Sequence, residues 1–455
     1  MVLETKSKEM MRMSKASAVA ATSALRLLEQ YEEGKSFFWS SPLHTMLAQG
    51  EWKRLSDAPS SSIGGNALDT DEQPNPGLRY DEPIQGLLHR IQGLLNEAKQ
   101  AGGVNPVAVG AIPFNPRRAD VELYVPESVQ WAEPPADSDR MRERLPAAGN
   151  CSIEEEPAAA VYEQSVRSVL TRLNAGELSK IVLARTLCVT SETQVDTHQL
   201  LRNLFRDNAH GYTFAVPMRK SQLPKSIVTT DNRVISVGEK GKPRTFLGAS
   251  PELLVTRTGT RVRVNPLAGS AARSGDPEED RRRAEALLAS AKDRHEHAVV
   301  IDAVAAALRP LCKELTVPEE PSLIQTSTMW HLSTDIYGEL ADAATTSLEL
   351  AFVLHPTPAI CGTPVEDARD EIQAQEPFDR GLFTGMVGWC DSRGDGEWAV
   401  AIRCAEVQGH QLRLYAGAGI VPGSTPEAEL AETAAKFGTM LRAMGLQSAG
   451  ATREE

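Results

Sequence analysis

The order in which strand and helix signals fall along the chain limits its architecture more than any other feature of the sequence. Residues 180–189 form a strand rich in branched side chains, 245–256 and 261–266 read as a hairpin, and 386–407 and 411–421 are further strands. Helical signals fall between these runs, at 158–175, over a long stretch at 278–311, and from Pro426 onward. Thr425 is placed as the N-cap of that last helix, with proline in its first turn. Strands and helices come in clusters, without regular βαβ alternation. The pattern predicts an α+β fold in a single domain, with large mixed, mainly antiparallel sheets flanked by helices.

Upstream, 104–113 and 121–126 read as strands that are too short to make a core alone, so they are assigned to the same fold. Two stretches, 57–83 and 133–157, are rich in proline, glycine, serine or charge and read as linkers. The expected parts are a helical extension at 1–30, the first part of the fold at 31–156, a core at 157–445 and a disordered tail at 446–455. With 41% hydrophobic and 24% charged residues the chain is ordinary globular protein. A net charge of -13 argues against nucleic acid as a partner, because that binding rests on basic patches. Six cysteines without a C-x-x-C pair fit reduced thiols in a cytoplasm. No apolar run approaches the roughly 18 residues of a membrane span. Residues 1–15 are laced with charge, unlike a signal peptide, and nothing demands more than a monomer.

Some familiar patterns fail on inspection. Gly417, Gly419 and Gly423 follow a strand, but the spacing has one residue too many for a dinucleotide fingerprint and no second strand follows. Gly248-Ala-Ser250-Pro-Glu252 lacks the closing glycine of a nucleophile elbow. His295 and His297 flank Glu296, but H-E-x-x-H is absent.

Other residues are chemically suggestive. Glu296 has Val299, Val300 and Ala303 at i+3, i+4 and i+7, which turns its carboxylate to an inward helix face. Glu429, Glu432 and Lys436 share one face of the last helix; an exposed Glu–Lys pair explains them if taken alone. Two inward glutamates from different helices would suit a magnesium ion, which takes one or two carboxylates and keeps water and ligand positions. Alternation along 397–407 puts Arg403 on a face lined otherwise by alanines, with room for a ligand beside the guanidinium. Gly417 and Gly419 end the next strand, where bare backbone can approach an anion. Lys180 opens a buried strand; it either snorkels or is desolvated, which disfavours its charged form.

Lys180-Ile-Val-Leu-Ala-Arg185, Gly248-Ala-Ser-Pro-Glu252, Pro266-Leu-Ala-Gly-Ser270 and Glu296-His297 occur in that order, and Trp330-His-Leu-Ser-Thr334, His355-Pro-Thr-Pro and Gly417-Ala-Gly-Ile-Val-Pro422 follow. Phe38-Trp-Ser-Ser-Pro42 and Val109-Gly-Ala-Ile-Pro-Phe114 stand upstream. Together these segments closely resemble the chorismate-utilising enzymes, and among them the isochorismate synthases that feed catecholate siderophores. The resemblance spans roughly residues 30–445. It departs from the common pattern in the long linkers and at Cys361, where relatives often carry a small polar residue.

The resemblance implies a magnesium-dependent isomerisation of chorismate to isochorismate. It implies that Lys180 is the base activating water for attack at C2, and Glu252 the acid protonating the departing C4 hydroxyl. Glu296 and Glu432 match magnesium ligands, with Glu429 nearby. Arg403 and Lys436 match carboxylate-binding cations, Gly417 and Gly419 match backbone donors, and His331 matches a pocket residue. Gly269, Ser270 and Thr334 fall in the same motifs and Ala359 directly follows His355-Pro-Thr-Pro; all four are implied to bind substrate. Lysine at position 180 favours water over ammonia, since aminating relatives usually carry glutamine there. Two other readings stay open: a salicylate synthase, against which the Trp330–Thr334 segment argues, and a non-catalytic chorismate-binding protein, against which the intact acid, base and metal carboxylates argue.

Overall fold

Alternation along the strands decides the layering. Phe37 and Trp39 enter one apolar cluster and Phe38 another; Phe214 and Val216 part from Ala215, and Phe246 from Leu247, in the same way. Each of these strands is apolar on both sides, so its sheet must be covered on both faces. The computed structural model, which describes residues 23–55, 82–117, 121–140, 143–219, 227–228, 234–235 and 241–446, meets that demand with four layers.

A ten-stranded sheet runs in the order Gly362–Thr363, Lys180–Ser191, Gln411–Ile420, Cys404–Gln408, Arg244–Ser250, Tyr212–Met218, Ser36–Ser40, Thr45–Gln49, Ser128–Ala132, with Cys151–Glu156 also on Lys180–Ser191. A nine-stranded sheet packs on it through the cluster that holds Trp39, Phe214, Phe246, Leu253 and Val387. Helices Ala24–Glu29, Thr197–Asp207 and Pro426–Met444 cover the outer face of the first sheet, and Glu82–Gln100, Ala291–Leu308 and Ser347–Leu354 that of the second. A three-stranded sheet of Leu267–Ala272, Met329–Ser333 and Ser322–Gln325 completes the α+β architecture.

Two expected strands each divide between different sheets. The stretch 245–256 divides into Arg244–Ser250, in the ten-stranded sheet, and Leu253–Thr258, in the nine-stranded one; only the latter forms the hairpin with Arg261–Asn265. Pro251 cannot donate to a ladder, which ends the first strand there. The expected strand 386–407 is three, Met386–Asp391 and Gly396–Val400 paired in the nine-stranded sheet and Cys404–Gln408 in the ten-stranded one; its alternating part, 397–407, breaks because Arg403 adopts a left-handed backbone (φ 51°) that a strand cannot continue through. The two crossovers lie side by side. Gly248 pairs with Cys404 in one sheet and Leu253 with Ala399 in the other. Val400 N donates to Glu252 O at 3.1 Å and Ala249 N to Arg403 O at 3.1 Å.

The long helix expected at 278–311 is Pro277–Ala289 and Ala291–Leu308, followed by a 3₁₀ turn. Ser290 both ends the first, its N–H reaching Leu287 O, and caps the second, its side chain accepting from Asp293 N at 3.2 Å. The linker read at 133–157 contains the strand Cys151–Glu156, whose polarity belongs to an edge strand exposed to water. The linker 57–83 lies outside the described residues but for its last two, which begin a helix; most of the 1–30 extension and of the 446–455 tail lie outside them too.

Candidate active site

The crossovers carry Glu252 and Arg403 into one cavity. Glu252, Gly269, Ser270, Glu296, His331 and Ala359 line it, and so do Arg403, Gly417, Gly419, Glu432 and Lys436. Three expected residues are not on its wall. Lys180 lies just behind Glu296, Glu429 is buried against Lys292, and Thr334 sits beneath, accepting or donating a 2.8 Å bond with His297 Nε2. Thr384, Phe383, Ile360 and Ile402 line the cavity without any signal in the sequence. Thr384 is the other non-glycine residue with a left-handed backbone among the described residues (φ 57°), and Thr384 N donates to Ala401 O at 2.8 Å, beside the Arg403 crossover.

Burial pushes the Glu252 carboxyl up to about 7. The amide of Leu267, 3.4 Å from Oε1, and the charges of Lys180, Arg403 and Lys436 oppose that rise without cancelling it. Lys180 is wholly buried, with Nζ 2.8 Å from Glu296 Oε1. The missing side chain of Gly419 makes this contact possible: a Cβ there would run into Glu296 Oε1 and stand 3.1 Å from Lys180 Cε. The carbonyl of Gly417 accepts from Lys436 Nζ at 2.8 Å. Space at Gly419 and a carbonyl acceptor at Gly417 are what the neighbouring side chains use.

Arg403 Nη2 is 3.2 Å from His331 Nε2. Burial and the neighbouring Arg403 and Lys436 charges hold His331 well below the usual imidazole range, so it is neutral and Nε2 accepts. Arg403 Nε is buried without a hydrogen-bond partner, a donor open to an anion. Burial also lowers Arg403, to about 10, which leaves it charged at neutral pH.

The third group is acidic. Glu296 comes from the helix Ala291–Leu308, and Glu432 and Glu429 from Pro426–Met444. Burial raises Glu432, but Lys436 (2.6 Å) and Ser270 Oγ (3.0 Å) outweigh it and keep the carboxylate charged. Burial and the Glu432 charge raise Glu429, whose Oε2 has no hydrogen-bond partner. Among the described residues no three carboxylate, imidazole or thiolate groups converge as a finished metal cage. The donor set nevertheless suits Mg²⁺, which needs only one or two carboxylates beside water and ligand oxygens; Glu296 and Glu432 face the same cavity, and Glu429 offers an orphaned oxygen behind them.

A model of the family described as chorismate binding enzyme matches residues 128–223 and 225–445. The chain belongs to this family. As a chorismate-binding enzyme it is 50% identical over 430 residues to the isochorismate synthase DhbC of Bacillus subtilis, covering 94% of this chain and 98% of that one. It is 38% identical over 413 residues to the isochorismate synthase EntC of Escherichia coli (90% and 95% covered). The crystal structure of a Bacillus anthracis chain described as a 2,3-dihydroxybenzoate-specific isochorismate synthase, DhbC, superposes with a TM-score of 0.78 at 48% identity, covering 93% of this chain and all of that one. No described helix of this chorismate-binding enzyme is long and apolar enough to cross a membrane.

Proposed function

We propose that the chain is an isochorismate synthase that uses Mg²⁺, with Lys180 and Glu252 as its base and acid. The observation that carries the reading is the Glu252 carboxyl: buried at the crossover, held near 7, and so able to deliver a proton at neutral pH in the same cavity as the cations that would grip a dianion. Hydroxide is a poor leaving group, and a carboxyl with an ordinary acidity would be ionised and useless as a donor.

Chorismate enters with its carboxylates toward Arg403 and Lys436, whose open or exchangeable donors suit them. Lys180, when neutral, takes a proton from water as that oxygen bonds to ring C2. The ring double bonds shift, the C4–O bond breaks, and Glu252 gives its proton to the departing oxygen, which leaves as water. One water is consumed and one released, so the net change is an isomerisation, and proton return from Lys180 to Glu252 resets the site. Glu296 and Glu432 would hold the Mg²⁺, which when bound would neutralise substrate carboxylate charge. His331, neutral and bonded to Arg403, orients the guanidinium. All six cysteines are free, which supports a reducing compartment such as the cytoplasm.

The test is product chromatography of chorismate incubated with the purified chain and Mg²⁺. Isochorismate is expected, with loss of turnover in Lys180→Gln. Pyruvate released in step with chorismate loss would reveal a lyase instead, and full turnover with the metal chelated away would overturn the metal assignment.

A further inference from the structure

Each of the three carboxylates at the acidic end of the cavity is met by its own lysine. Lys180 Nζ stands 2.8 Å from Glu296 Oε1, Lys436 Nζ 2.6 Å from Glu432 Oε1, and Lys292 Nζ 2.9 Å from Glu429 Oε1. Lys180 and Lys436 have work in the proposed reaction. Lys292 has none. It lies at the start of the helix Ala291–Leu308, one turn before Glu296, and its side chain is one-third exposed while that of Glu429 is fully buried. Glu429 is also the one of the three glutamates that does not reach the cavity wall, although its Oε2 is buried with nothing to accept from.

We propose that Lys292 is a resident counter-ion that competes with Mg²⁺ for Glu429 and sets the metal affinity of the substrate-free protein. The inference rests on the metal reading above. At Glu429 the ammonium of Lys292 already balances the carboxylate. A divalent cation entering alone must displace that ammonium or sit beside it, and is repelled by it. A substrate with two carboxylates offsets that repulsion. Lys292 therefore ties firm metal binding to the arrival of a dianion: while the cavity is empty it holds Glu429 back, and it can swing toward solvent when the metal claims that oxygen.

The experiment is calorimetric titration of the full chain with Mg²⁺ in the absence of substrate, checked by Mn²⁺ binding followed by electron paramagnetic resonance. Lys292→Met should bind Mg²⁺ about tenfold more tightly than the unmodified chain, the effect of removing one unit charge a few ångström away in a partly screened site. Lys292→Arg, which keeps the charge, should bind like the unmodified chain. In an Glu429→Gln background the Lys292→Met gain should vanish. Equal or weaker binding by Lys292→Met overturns the proposal, as does an undiminished gain in the Glu429→Gln background, which would make Lys292 a remote charge and not a competitor. Failure of the unmodified chain and of Lys292→Met alike to take up either metal, with chorismate present as well as without it, would instead overturn the metal reading itself.

Discussion

Replacing Glu252 with glutamine should abolish most activity while making the protein more stable, and the gain should depend on pH in a defined way. The Glu252 carboxyl moves from an ordinary 4.5 in the unfolded chain to about 7 in the fold, chiefly because burial disfavours its charged form. A raised carboxyl means that the native state binds more protons than the unfolded state between those two values. Stability referable to Glu252 is thus fully present below pH 4.5 and is lost as pH rises through about 7. The displacement is 7 − 4.5 = 2.5 pH units, and at roughly 1.36 kcal/mol for each the penalty above neutrality is about 3 kcal/mol. Glutamine has no proton to lose and escapes it. Urea unfolding of both proteins without metal, at intervals from pH 5 to 8.5, should show Glu252→Gln gaining on the parent up to neutrality and then holding a constant lead. Turnover should fall by about 10²–10⁴, the usual worth of a general acid. A stability difference that stays flat across that pH range would refute the argument, since a packing or hydrogen-bond effect of the amide has no reason to titrate.

Gly419→Ala should cost both metal binding and turnover while leaving the fold intact, because the new methyl would meet Glu296 Oε1 and crowd Lys180; parent-like kcat/KM and Mg²⁺ titration would contradict this. Arg380→Met should destabilise by about 3–5 kcal/mol in denaturant unfolding, since it strands the buried carboxylate of Glu376. It should also impair turnover, because Arg380 holds the carbonyls of Val182 and Ile360, both cavity residues, at 2.8 Å; parent-like kcat/KM would refute that part.

The α+β class with large, mainly antiparallel sheets was legible because it follows from local rules. Lys180–Ser191 and Gln411–Ile420 stand where the sequence places strands, whereas Tyr212–Met218, apolar on both faces, went unread, and with it the layering that two-sided burial requires. Thr425 and Pro426 begin a helix where capping chemistry says one should begin. Polarity misled at Cys151–Glu156, since an edge strand and a loop both present charge to water. Periodicity misled at Ser290 for a related reason: the apolar face of Ala291–Leu308 continues the spacing begun in Pro277–Ala289, and a single capping serine leaves no gap in that rhythm.

The site was legible in its residue types and illegible in its geometry, and both facts have one source. Glu252 and Arg403 stand where the chain leaves one sheet for the other, and a sheet change leaves almost no mark on hydrophobic alternation because both sheets bury the strands that meet there. Alternation placed Arg403 on an alanine-lined face, yet Ala401 and Ala405 are wholly buried and the guanidinium reaches the cavity only because a left-handed residue breaks the strand. Nothing in a sequence announces that a bulky residue will occupy such a backbone; neighbouring strands impose it, here through the bonds from Thr384 N to Ala401 O and from Ala249 N to Arg403 O. Thr384 escaped notice for the same reason, being held by that break and unremarkable in type. Chemistry of this kind needs an acid and a cation that cannot relax toward solvent. Two adjacent crossovers between packed sheets provide that rigidity, and the irregular backbone that hid the arrangement is also what aims the side chains.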